Sequence, residues 1–238
     1  MGVATAIASP HLALTTMTVN TSQHRDLPSG PWQPLLSHAF TILDDLTLHS
    51  GVAEPFWTMG GGTVLMLRYG HRRSKDIDIF VPDPQYLGFV TPRLSDIAAK
   101  VSTSYVEAAN YVKLVRAEGE IDFVASPNLT SAPFDTWSLL GRSVKVETAV
   151  EIVAKKLWHR GDMATARDLF DLALVIDKEP AQLKTAAVFL TKHRDVFLTQ
   201  LSQRRKVLQA QFEAIDTLDF KPSFAQALST AAHFLKAL

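Results

Sequence analysis

The apolar positions of this chain change period along its length, from short runs broken by turns to long helical patterns. Over 34–49, Leu35, Leu36, Phe40, Leu43 and Leu46 recur at helical spacing, which predicts an amphipathic helix. Residues 55–59 form a short apolar strand running into Gly60, Gly61 and Gly62. Residues 63–69 then read as a short helix, with Gly70 as its stop. Residues 76–81 predict a strand closed by Pro82, Asp83 and Pro84, and 94–101 a helix. Residues 111–116 and 119–125 predict two strands, a candidate hairpin across Ala117, Glu118 and Gly119, and 143–146 one more short strand.

After Glu147 the texture becomes helical, with few glycines: 152–174, broken at Gly161 and Asp162, then 181–212 and 224–238. The pattern predicts an α/β domain over 31–146 and a helical domain over 147–238 that completes its site. Residues 1–30 predict a flexible N-terminal tail. Its first residues, Met1 to Leu14, are small and apolar but lack a basic leader, and Pro10 and His11 interrupt them. They read as a loose tail rather than a secretory signal, and Met17 offers a second start.

Composition narrows this picture modestly. With 238 residues, 47% hydrophobic and 20% charged, the chain can build one substantial core. Lys plus Arg equals Asp plus Glu at 24 each, which gives no general coat for nucleic acid but allows a local basic patch. The absence of cysteine excludes disulfides, zinc–thiolate sites and thiol catalysis, and makes the cytoplasm the expected location. No apolar run is long enough to predict a membrane-spanning helix.

The candidate chemistry lies in the turns and strands. Asp76 and Asp78 are two apart among Ile77, Ile79, Phe80 and Val81, so on a strand they share a face. Paired carboxylates on an apolar strand resist burial unless a cation is shared, and Mg²⁺ suits one or two carboxylates plus substrate phosphates. Asp122 lies in a second apolar strand. Beside the first strand it would bring a third carboxylate to the metal; on a solvated edge, Glu120 and Asp122 would instead pair with Lys113 or Arg116.

Three glycines between a strand and a helix let backbone amides approach an anion, or simply make a tight turn. The spacing matches neither a Walker motif nor a dinucleotide fingerprint. Thr63 would cap the helix or meet a phosphate, and His71, Arg72 and Arg73 could meet nucleotide or RNA. On 152–174, Lys156 and Arg160 share one helix face and Asp168 and Asp171 another. Two antiparallel helices would join them, either as a triphosphate-binding lysine with its acid or as a surface ion-pair network. Basic residues at 192–194 and 204–206 suit RNA phosphates or a solvated helix face.

Taken together, residues 61–80 with their Gly-Gly-Thr and Arg-Arg-Ser-Lys-Asp-Ile-Asp sequences resemble the first motif of the AbiEii/AbiGii toxin family. Ala154-Lys155-Lys156-Leu157 and Ala166-Arg167-Asp168-Leu169-Phe170-Asp171-Leu172 are similar to its downstream lysine and Arg-Asp-x-x-Asp motifs. The resemblance covers roughly 56–175. It implies a polymerase-β-like nucleotidyltransferase fold, with a mixed sheet flanked by helices and a C-terminal helical region.

By that resemblance Asp76 and Asp78 bind the catalytic metal, Mg²⁺ or Mn²⁺, with Asp122 as an added candidate. Gly61, Gly62, Thr63, Ser74 and Arg73 line the nucleotide, Lys156 contacts the triphosphate and Asp168 completes the site. The family implies a toxin of a bacterial toxin–antitoxin or phage-defence system that moves a nucleotide from an NTP to an acceptor, with the 3′ end of tRNA expected, and an antitoxin from a neighbouring gene. The same site could instead nucleotidylate a small molecule or a protein side chain, or serve only to bind nucleotide or RNA.

Overall fold

A computed structural model describes residues 27–238. The expectations for residues 1–26 lie outside the described residues. The chain opens with α1 (Trp32–His49), β1 (Thr58–Gly60), α2 (Gly61–Tyr69) and β2 (Ile77–Val81). Two short helices follow, α3 (Leu87–Val90) and α4 (Asp96–Val101), then β3 (Tyr105–Ala108), β4 (Tyr111–Val115), β5 (Glu120–Ala125), β6 (Phe134–Leu139) and β7 (Arg142–Glu147). The remainder is helical: α5 (Ala149–Arg160), α6 (Ala166–Lys178), α7 (Pro180–Lys184), α8 (Ala187–Leu190), α9 (Arg194–Gln203), α10 (Arg205–Glu213) and α11 (Phe224–Lys236).

The seven strands form one mixed sheet in the order β3-β4-β5-β2-β1-β7-β6. β2 sits near its centre, antiparallel to β1 and parallel to β5. Burial alternates along β2 and β5 as the pleat requires. Ile77, Ile79, Ile121 and Phe123 enter the core beneath α1, whose Leu35, Leu36 and Leu46 are fully buried. The opposite face of the same two strands carries Asp78, Phe80, Glu120 and Asp122. A continuous apolar cluster extends from α1 through the sheet to Phe224, Ala231 and Leu235 of α11.

The sequence expectations meet this fold with specific shifts. β1 begins at Thr58 rather than at residue 55, and α2 begins at Gly61, so two of the three glycines open the helix. The 181–212 stretch is four helices between Pro180 and Glu213 rather than one pattern. On α10, Leu208 and Phe212 are buried, whereas Val207 is 55% exposed. β3 and β6 were not expected; both are sheet edges with mostly exposed side chains, so they lack the apolar alternation that marks a half-buried strand.

Candidate functional site

The glycine turn is built against the first acidic strand. Gly61 opens α2 with φ +73°, a left-handed conformation that disfavours a side chain, and a Cβ placed there would lie 1.8 Å from Asp78 Oδ2. The second glycine is equally confined: a Cβ on Gly62 would lie 2.6 Å from Arg72 Nη2 and 3.1 Å from Ser74 Oγ. Thr63 is fully buried; its hydroxyl lies 2.6 Å from the Asp76 carbonyl, to which it donates, and 3.1 Å from Ser74 Oγ. Its place is therefore beneath the start of β2, not on an open phosphate surface. Ser74 is half-buried beside it, and its amide donates to Met66 Sδ.

Asp76 and Asp78 stand at the N-terminal end of β2, as the sequence placed them, with Asp76 just outside the strand. Asp76 Oδ1 accepts the Glu120 amide at 3.0 Å, which ties it to the β4–β5 turn. The carboxylate of Asp78 accepts no hydrogen bond among the described residues. Burial pushes its carboxyl up, against the opposing charges of Lys156 and Arg160. Asp122 lies in register with Asp78 on the parallel β5 and with Lys113 on the antiparallel β4. Lys113 Nζ is 3.3 Å from Asp122 Oδ2 and also bonds Glu120. Asp122 Oδ1 is buried without a partner, and burial together with the charge of Asp78 raises this carboxyl to about 7.

The third acid thus neighbours the first strand and also pairs with Lys113, although β5 is an interior strand and not the solvated edge on which that pairing was expected. Among the described residues, no three His, Asp or Glu side chains are grouped closely enough to hold a metal ion. Asp76 and Asp78 form the pair at the head of β2, and Asp122 lies beside Asp78 in register while bound to Lys113. That pair still fits a divalent ion that keeps waters and phosphate ligands: its donors are hard oxygens, and the carboxylate of Asp78 accepts no hydrogen bond among the described residues.

The downstream residues come from two antiparallel helices joined at Gly161. Lys156 Nζ on α5 reaches Asp168 Oδ1 at 3.1 Å and Asp171 Oδ2 at 2.8 Å on α6. Arg160 Nη2 reaches Asp168 Oδ1 at 2.5 Å, and Thr165 caps α6 while bonding Asp168 Oδ2 at 2.7 Å. Burial works to raise Asp168, but Lys156 and Arg160 outweigh it and hold the carboxyl below its ordinary value. This is not a surface network, because Lys156 is only 12% exposed and both acids are buried.

Asp171 is the residue the sequence reading undervalued. Arg72 binds it bidentately at 2.8 and 2.9 Å, and His71 Nε2 lies 3.0 Å from Oδ1. Burial would raise its carboxyl, yet Lys156, Arg72 and His71 hold it well below the ordinary range. Arg72, not the expected Arg73, is the buried arginine under the glycine turn. Arg73 is exposed and pairs with Asp216 at 3.1 Å. A short bridge between Arg72 and Thr217, with Leu218 N donating to His71 O, pins this loop to the C-terminal helices. The sequence held no signal for this pairing, because local spacing does not join residues 100 apart.

Lys155, the neighbour of Lys156, points the other way. Its ammonium lies 2.5 Å from Glu147 Oε1 and 4.2 Å from the Phe80 ring centre, and Glu147 also accepts from Thr58. This buried pair joins α5 to the strand that leads into the glycine turn. The basic residues at 192–194 flank the α5–α6 turn: a Cβ on Gly161 would meet His193 Cβ at 2.9 Å, and Lys192 Nζ lies over the Trp158 ring at 4.0 Å. Arg205 and Lys206 are exposed on α10.

Replacing Gly61 with alanine should lower activity by about 10²-fold, the penalty for shifting a reacting group by about 1 Å. The left-handed backbone adds a stability loss of about 1–2 kcal/mol. Turnover measured beside chemical denaturation checks this; wild-type turnover in Gly61→Ala would show that the contact with Asp78 is unimportant.

The model of the nucleotidyl transferase AbiEii toxin family, of type IV toxin–antitoxin systems, matches residues 41–238. The nucleotidyltransferase toxin MenT4 from Mycobacterium tuberculosis aligns at 16% identity and a TM-score of 0.50, over 86% of this chain and 84% of its own. JHP933 from Helicobacter pylori aligns at 15% identity and a TM-score of 0.45, over 88% and 92%. No curated protein matches the sequence. The MenT4 likeness shows a shared fold; the family match shows more, and the chain belongs to the AbiEii nucleotidyltransferase toxin family. No helix among the described residues is long and apolar enough to cross a membrane.

Proposed function

We propose that this AbiEii-family toxin moves a nucleoside monophosphate from an NTP to the 3′ end of tRNA, with a divalent ion held by Asp76 and Asp78. The observation that carries this reading is the contact between the glycine turn and Asp78, where Gly61 leaves room for the carboxylate and nothing larger. An anion on the α2 N-terminus would therefore lie beside the pair that holds the cation. Mg²⁺ or Mn²⁺, when bound, supplies Lewis-acid polarisation of the α-phosphate and offsets charge on the departing pyrophosphate.

The chain's own residues perform the rest. The amides of Gly61 and Gly62 face the phosphates, and Ser74 borders them. Thr63 fixes the carbonyl of Asp76 and so the approach of β2. Lys156 and Arg160 supply positive charge from α5, oriented by Asp168 and Asp171. Arg72 stiffens the turn from below. Arg73, being exposed, is available to an acceptor rather than to the enclosed nucleotide.

RNA is the favoured acceptor because Lys192 and His193 lie in the turn that leads into α9, which packs against the α5–α6 turn, and Arg205 and Lys206 lie on α10 beyond it. The protein is incubated with each α-labelled NTP, a divalent salt and total bacterial RNA and protein. Label on tRNA is expected, and periodate oxidation of the 3′ ribose should abolish it. Label on protein or on a small molecule, with tRNA unlabelled, would replace tRNA by that acceptor.

A further inference from the structure

Three strands set a protein cation beside the acids of the site. Asp78 pairs in register with Asp122, and Asp122 with Lys113, so the three side chains lie in a row across β2, β5 and β4 on one face. Lys113 Nζ holds Asp122 Oδ2 at 3.3 Å and bonds Glu120 from the same position. Asp122 Oδ1 is buried with no partner, although a cation at the site would offer it one. The Asp76 carboxylate is likewise engaged on one oxygen by the Glu120 amide.

We propose that Lys113 withholds Asp122 from the divalent ion, so that the free enzyme binds this ion weakly through Asp76 and Asp78 and takes it up chiefly with the nucleotide. The proposal rests on the reading of Asp76 and Asp78 as the ion-holding pair. A fixed ammonium a few ångströms away repels a divalent cation and neutralises the carboxylate that would otherwise complete its ligands. The triphosphate, arriving with its own negative charge, supplies what Lys113 removes.

The test is Mn²⁺ binding without nucleotide, followed by the electron paramagnetic resonance of free Mn²⁺, with circular dichroism to establish folding. Lys113→Met should bind Mn²⁺ at least about tenfold more tightly than wild type, the scale expected of one nearby fixed charge. Lys113→Gln, which keeps a donor for Glu120, should shift binding in the same direction and serves if the methionine variant does not fold. The double variant Lys113→Met/Asp122→Asn should lose the gain. Unchanged or weaker binding in folded single variants, or a gain retained in the double variant, would overturn the proposal. Asp78→Asn separates the two layers: loss of Mn²⁺ binding there supports the ion-holding pair whatever Lys113 does, whereas wild-type binding there defeats that reading itself.

Discussion

Replacing Asp78 with alanine should lower nucleotidyl transfer by about 10³-fold while leaving the protein folded. Metal-assisted charge stabilisation is worth several kcal/mol, and each ~1.4 kcal/mol is a factor of ten in rate. The structure adds a prediction about stability that points the other way. Burial raises the Asp78 carboxyl above its ordinary value and no hydrogen bond compensates it. A carboxyl whose pKa rises on folding opposes folding above its unfolded-state value, and the opposition weakens as pH falls and the group protonates. Asp78→Asn should therefore melt at a temperature equal to or above that of wild type at neutral pH, and the difference should shrink in acid. Calorimetry across pH beside a turnover assay tests both statements. An inactive variant that melted well below wild type would make Asp78 a structural residue instead.

Asp171→Ala should behave in the opposite manner, losing stability first and activity as a consequence. It would leave Arg72, 5% exposed, and the buried His71 without their shared carboxylate, and Lys156 with only Asp168. Breaking a buried pair on one side costs about 3–5 kcal/mol, and at about 2–4 °C per kcal/mol for a chain of this size the midpoint should fall by about 10 °C. The Asp171 carboxyl lies well below its ordinary value in the folded state. Its contribution is thus complete above the ordinary carboxylate range and fades only as pH falls through the depressed value. Urea titration at neutral pH reads the loss. A change under about 1 kcal/mol would mean that solvent replaces these partners freely.

These two acids also mark how far the sequence could be read. Asp78 was legible because a carboxylate at every second position of an apolar strand contradicts the composition around it. The helices of α1, α5 and α6 were legible from apolar spacing, and Lys156, Arg160 and Asp168 followed as faces of those helices. Asp171 sits on the same helix, but its importance comes from Arg72 and His71 in a loop about 100 residues earlier. Local periodicity carries no information about such a pairing. The choice between Arg72 and Arg73 was hidden for the same reason: adjacent loop residues point to opposite environments, and only the packed α6 decides which is buried.

The polar edge strands β3 and β6 were missed because their side chains answer to solvent. The role of Thr63 shifted because a threonine at the third position of a glycine-led helix reads equally well as exposed or enclosed. Here it is enclosed, bonded to the carbonyl of Asp76. Asp122 lies in register beside Asp78, and it also pairs with Lys113 across from it on β4, a contact that strand pattern alone could not combine with the first.

The central claim is nucleotidyl transfer at the Asp76–Asp78 pair, and its most direct test compares α- and γ-labelled NTP in parallel reactions with RNA, with and without a divalent ion. Only α-label should reach the acceptor, γ-label should leave as pyrophosphate, and transfer should disappear without the ion and fall by about 10³-fold in Asp78→Ala. Transfer of the γ-label, or α-label transfer at the wild-type rate in folded Asp78→Ala, would contradict nucleotidyl transfer at this pair.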